Sequence, residues 1–217
     1  MSAFDYQGYE HLSGVLPMEQ VNRLRDALAE TPLEQKAGEK SADKVFPIVQ
    51  ELVSDPNLMR LAERYLTGIV SIVQVKLFES TPAKAWHQER NVVLNQKVDI
   101  ADWGPWHEED GVHYVQPPIE VLDNMVTLRL QLDAANEESG YLRIIPRSHN
   151  TGLMSEEEIA AYAESHESID CFTEAGDVLA IRPHVLHKTC EGSSGSSRRV
   201  LQIEYCGYKL PAGLEWA

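Results

Sequence analysis

The chain reads as an α+β protein: a helical layer over about residues 16–67, then an antiparallel sandwich or barrel over about 69–208. Three observations predict this. Apolar residues recur at helical spacing up to Gly68, the period then changes from 3.6 to 2, and turn signals cut the rest into short strands. At 217 residues one domain is expected, with a lid-like insertion over about 91–118.

The elements follow in order. Pro17 suits a first helical turn, and Val21, Leu24 and Leu28 fall on one helix face. Val45, Ile48, Val49, Leu52 and Val53 mark a second helix. Asp55 caps a third, with Pro56 at its first position and a stripe of Leu58, Leu61, Ala62, Tyr65 and Leu66. Gly68 can end it. Residues 69–78 read as a strand. In 125–132, Val126, Leu128, Leu130 and Leu132 share one face, and Thr127, Arg129 and Gln131 the other. Further strands are predicted at 141–145, 170–172, 178–182 and 200–205. The turns between them fall at Ser139-Gly140, Pro146-Arg147, Gly176-Asp177 and the Gly/Ser run 192–197. Ser155 and Glu158 form a capping box for a helix between 151 and 168. The insertion carries Trp103 and Trp106 among glycines and prolines with little periodicity, as binding loops do.

Composition narrows the function classes. With 19 Lys and Arg against 34 Asp and Glu, the net charge of −15 argues against nucleic acid and anionic membrane as partners. No stretch approaches the roughly 18 apolar residues of a membrane span, and the first residues do not read as a signal peptide. Cys171, Cys190 and Cys206 are odd in number and widely spaced, so a disulfide framework is not expected and a reducing cytoplasm is. Phosphate-cradling glycine loops and the G-x-S-x-G elbow are absent.

The histidines point to a metal. In an extended segment His87 and Glu89 point the same way, so an imidazole and a carboxylate reach one point. A second histidine from a later strand would complete a two-His, one-carboxylate triad, which holds Fe(II) and leaves about three positions open. His187 is that candidate, with His184 competing; as an H-x-x-H pair the two would suggest zinc. If the strands on either side of the Gly/Ser run pair, His187 and Arg198 face one cavity, and a guanidinium fork there suits a carboxylate. Arg199 competes with Arg198 for that place.

Trp86-His87-Gln88-Glu89, the run from Leu132 to His149 and the series Gly176-Asp177, His187-Lys188-Thr189, Arg198-Arg199 together resemble the phytanoyl-CoA dioxygenase family over about residues 10–208. The resemblance implies a double-stranded β-helix (jelly-roll, cupin-like) core with the N-terminal helices packed on the major sheet. It implies an Fe(II)- and 2-oxoglutarate-dependent dioxygenase that consumes O2, decarboxylates 2-oxoglutarate to succinate and hydroxylates a small molecule. It assigns His87, Glu89 and His187 to iron, Arg198 to the distal carboxylate of 2-oxoglutarate and Thr189 to assist. Gln74 and Arg129 are further cosubstrate candidates from polar strand faces. Arg90, Asn91, Trp103, Trp106, His113 and Tyr114 are candidates to close over the substrate. Glu89 departs from the family's usual Asp. A retained carboxylate argues against halogenation, and the longer side chain leaves a non-catalytic jelly-roll binding protein as the alternative. Arg147 stands where the family often has Gly.

Overall fold

The N-terminal layer owes its shape to where prolines and caps fall. The computed structural model describes residues 2–29, 40–79, 83–193, 198–211 and 213–217. Helix α1 (Ala3–Gln7) opens on a Ser2/Asp5 capping box and ends at Gly8, whose φ of 82° only glycine adopts easily. A side chain at Gly8 would also come within 2.5 Å of the His149 ring. Strand β1 (Tyr9–Leu12) and helix α2 (Met18–Leu28) follow. The second helix expected from the sequence is two: α3 (Ala42–Val45) and α4 (Pro47–Val53). The break falls at Phe46 because a residue before proline is pushed out of the helical region, and Val45 is exposed. Helix α5 (Pro56–Glu63) starts as predicted, with the Asp55 carboxylate accepting the Asn57 N–H at 2.7 Å. It ends four residues before the turn that contains Gly68.

The strands are β2 (Ser71–Glu79), β3 (Lys84–His87), β4 (Val92–Leu94), β5 (Trp106–Glu109), β6 (Val112–Val115), β7 (Met125–Gln131), β8 (Tyr141–Ile144), β9 (Ile169–Cys171), β10 (Val178–Ile181), β11 (His187–Cys190) and β12 (Arg199–Cys206). A short helix α6 (Ile119–Asp123) precedes β7, and α7 (Glu156–Ser165), with its Ser155/Glu158 capping box, precedes β9. A five-stranded sheet runs β1-β10-β7-β12-β2 and a four-stranded sheet β3-β11-β8-β9. All their ladders are antiparallel. The two sheets form the double-stranded β-helix.

Alternation on the major sheet sorts the side chains. Val75, Leu77, Val126, Leu128, Leu130, Leu201, Ile203 and Tyr205 share a cluster with residues of α2, α4 and α5, which places the helices on its outer face. The insertion is more ordered than its composition suggested. Strands β4, β6 and β5 form a third antiparallel sheet, and Trp103 packs with Val92, Leu94, Val115 and Leu214 as core. Short strands that draw their apolar partners from the C-terminal segment leave little period within their own sequence. The expected pairing of the strands bearing His187 and Arg198 does not occur, because β11 pairs with β3 and β8 in one sheet and β12 with β2 and β7 in the other. Residues 194–197 of the Gly/Ser run lie outside the described residues.

Candidate active site

His87 closes β3 and His187 opens β11, and the two are direct cross-strand partners with ring centroids 4.2 Å apart. Each Nδ1 stands 2.8 Å from the carbonyl two residues earlier, Ala85 for His87 and Val185 for His187. A carbonyl only accepts, so Nδ1 carries a proton and Nε2 is the ring nitrogen left for a metal. The Glu89 N–H donates to the Pro183 carbonyl at 2.9 Å and ties the segment after β3 to the one before β11. Glu89 Oε1 lies 3.3 Å from His87 Nε2 and 3.1 Å from Lys84 Nζ. One ligand atom from each of His87, Glu89 and His187 falls within 4.8 Å of the others, the one such group of three among the described residues.

The protonation states suit a metal. Burial, reinforced by the neighbouring His87, pushes His187 down to about 3, so its imidazole is neutral. Burial alone would raise the Glu89 carboxyl. The hydrogen bond with His87 and the charges of Lys76 and Lys84 outweigh it and hold the group well below the usual carboxylate range. Two imidazoles and one ionised carboxylate form a donor set that fits Fe(II).

Facing this group is the inner surface of the major sheet, where Thr127, Arg129, Gln131, Gln202 and Glu204 are all buried. Gln202 sits opposite Lys76 on one side and Arg129 on the other. Lys76 Nζ donates to Glu204 Oε1 at 2.7 Å, Gln202 Nε2 to the same oxygen at 2.9 Å, and Arg129 Nη1 to Gln202 Oε1 at 2.5 Å. Arg198 Nη1 donates to Gln131 Oε1 at 3.2 Å. Among the described residues neither arginine meets a carboxylate, and the Nε of each is buried without a partner. Burial pushes both guanidinium groups down to about 10, Arg198 adding to the effect on Arg129. They remain charged at neutral pH, and a buried cation with a free donor is a place for an anion.

Other predicted residues fall in several places. Arg199 is taken by Asp133, with Nε–Oδ2 at 2.9 Å, so of the two neighbours Arg198 is the one turned inward. Thr189 is buried two residues beyond His187, on the same face of β11. Gln74 is not brought to the group. A bulge at Glu204/Tyr205 shifts the register beside it, and its amide donates to the Lys40 carbonyl at 3.3 Å in a separate cavity of about 140 Å³. His184 is likewise apart from the triad: it is fully buried, with Nε2 3.2 Å from Asp123 Oδ1, which removes the H-x-x-H zinc pair. Arg90 donates to the Met154 carbonyl at 2.6 Å and lines a cavity of about 650 Å³ with Trp86, His87 and Ile159. Trp103 and Trp106 pack into the core of the insertion, Tyr114 stacks on His107, His113 lies 3.8 Å from Glu108, and Asn91 is exposed. Sequence reasoning did not single out Gln202 and Glu204. Their signal was the alternation of 200–205, polar at 202 and 204 between apolar 201, 203 and 205.

Fold and site together define a double-stranded β-helix with an inward His-x-Glu…His group opposite buried arginine. The family model described as phytanoyl-CoA dioxygenase matches residues 4–200, and the chain belongs to that family. L-proline trans-4-hydroxylase of Streptomyces griseoviridis is 24% identical, the match covering 73% of this chain and 62% of that protein, so the chain spans less than two thirds of its curated relative. Among solved structures, HygX from Streptomyces hygroscopicus with nickel and 2-oxoglutarate bound superposes with a TM-score of 0.67 at 18% identity, over 94% of this chain and 83% of that one. The carbocyclase SnoK from nogalamycin biosynthesis gives 0.70 at 17%, over 95% and 84%. EctD from S. alaskensis with bound Fe gives 0.69 at 20%, over 95% and 76%. No helix among the described residues is long and apolar enough to cross a membrane.

Proposed function

We propose that the protein is an Fe(II)- and 2-oxoglutarate-dependent oxygenase that hydroxylates a small molecule while 2-oxoglutarate is decarboxylated to succinate. The observation that carries this reading is the pairing of a convergent His87–Glu89–His187 group with the buried, carboxylate-free guanidinium of Arg198 across the barrel. Its family and the ligands crystallised with its structural relatives support it. Iron bound by the triad supplies the activation of O2 and the oxidising chemistry.

The chain's own residues do the rest. The Ala85 and Val185 carbonyls fix the tautomer of the two histidines, so Nε2 of each is ready to ligate. Glu89 stays ionised under the influence of His87, Lys76 and Lys84. Arg198, held by Gln131, takes the distal carboxylate of 2-oxoglutarate, with Thr189 beside it and Arg129 as a second cation along the cosubstrate. Arg90 borders the cavity that His87 lines and is the substrate contact best supported by position.

In the test, succinate formation from 2-oxoglutarate is followed with Fe(II) and O2 present. Wild-type turnover should be lost in His87→Ala and His187→Ala, with the far-ultraviolet circular dichroism unchanged. Turnover that survives both substitutions would refute the assignment. The non-catalytic alternative predicts no weak visible absorption band when Fe(II) and 2-oxoglutarate are added anaerobically.

A further inference from the structure

The charges inside the barrel do not balance once iron and 2-oxoglutarate are counted. Among the described residues, Lys76, Arg129 and Arg198 are cationic, and Glu89 and Glu204 anionic. Fe(II) and the 2-oxoglutarate dianion cancel one another, so one positive charge is left over in a space where unpaired charge is costly. Lys84 adds to it only weakly, because its side chain is 53% exposed and water screens it. A singly charged anion would close the balance, whereas a phosphate monoester would overshoot it.

Position indicates which cation is available. The 2-oxoglutarate molecule has two acid ends, one for the metal and one for Arg198. Arg129 lies close enough to Arg198 to feel its charge. Lys76 stands on β2, under the influence of the Glu89 carboxylate and of Tyr114 from the insertion. Its ammonium has three donors, and among the described residues one is used, in the 2.7 Å bond to Glu204 Oε1. That oxygen also accepts from Gln202 Nε2, so Glu204 keeps a partner if Lys76 turns away. Lys76 therefore combines charge, spare donors and a carboxylate that does not depend on it alone.

Resting on the oxygenase reading above, we infer that the substrate is a small organic acid and that the Lys76 ammonium takes its carboxylate. Lys76 is then a specificity-determining residue for the primary substrate, distinct from the arginines that serve the cosubstrate.

The test uses the protein loaded anaerobically with Fe(II) and 2-oxoglutarate, whose visible band reports both the cosubstrate and a folded site. Butyrate, cyclohexanecarboxylate and phenylacetate are each titrated against their own primary amides, and the shift of the band gives the affinities. At least one acid should bind about tenfold to a hundredfold tighter than its amide, the range of a charged hydrogen bond. Lys76→Met should erase that preference while leaving the 2-oxoglutarate affinity within about threefold, well under the span of one such bond, because bound Fe(II) itself keeps Glu89 ionised without Lys76. Lys76→Met/Glu204→Gln removes both members of the buried pair and should do the same even where the single variant is unstable. The inference is overturned if no acid outbinds its amide, if the acids abolish the band rather than shift it, or if the variants lose 2-oxoglutarate. A wild-type protein that shows no band at all would instead overturn the oxygenase reading beneath it.

Discussion

The two faces of the major sheet differ more than any two regions of the molecule. On the outer face Val75, Leu77, Leu128, Leu130, Leu201 and Ile203 are buried under helices in one apolar cluster. Opposite them, a residue away along the same strands, half-buried Lys76 and buried Arg129, Gln131, Gln202 and Glu204 lie among polar groups with donors to spare. The outer face removes hydrocarbon from water and stabilises the fold. The inner face gives up stability, since desolvated charges held by neutral amides cost more than they return. One alternating strand supports both, which is why β7 reads so cleanly in sequence.

Substitutions on β7 and just before β12 can break this comparison. Leu128→Ala on the outer face should cost about 2–5 kcal/mol, read as a lowered urea midpoint. A cost under about 1 kcal/mol would mean that the outer face is not the stabilising one. Arg198→Met on the inner side should weaken 2-oxoglutarate binding about tenfold to a hundredfold and leave the urea midpoint unchanged or higher. A large loss of stability there would erase the distinction between the faces.

A smaller effect sharpens the comparison at the turn leading into β10. Asp177 accepts from the Gly14 and Glu174 N–H groups, both at 2.9 Å, and lies 2.8 Å from His11 Nε2. Burial would raise its carboxyl, but these bonds outweigh it and hold it below its ordinary value. A folded value below the unfolded one, about 3.9, means the contribution is complete above that pH and is lost as pH falls through the folded value. Asp177→Asn should therefore cost about 1–2 kcal/mol near neutral pH, and the gap to wild type should narrow below about pH 4. A gap independent of pH would place the effect in packing instead.

Much of the fold was legible because its signals are local. The Ser155/Glu158 box, the Asp55-Pro56 start and the alternation of 125–132 each lie within a few residues, and the structure repeats them. Strand β3 and the third sheet were not legible as elements, since their partners are remote: β3 pairs with residues a hundred positions on, and Leu94 bridges to Trp216. Gln74 looked like a cosubstrate residue on a polar strand face, but its amide turns to the Lys40 carbonyl, a partner 34 residues away that the period does not show. Val45 fitted a helical stripe, but Pro47 ended the helix before that stripe could form.

The sequence by itself determined the class of the molecule, the residue types of its candidate metal group and the two-faced character of its strands. These follow from side-chain chemistry and from the periods of 3.6 and 2 that backbone geometry imposes on helices and strands. Tertiary structure alone decided which residues meet. It set His87 beside His187, turned Arg198 inward and Arg199 out to Asp133, and sent His184 to Asp123. Register and sheet membership made those choices, and both arise from hydrogen bonds between strands far apart in the chain.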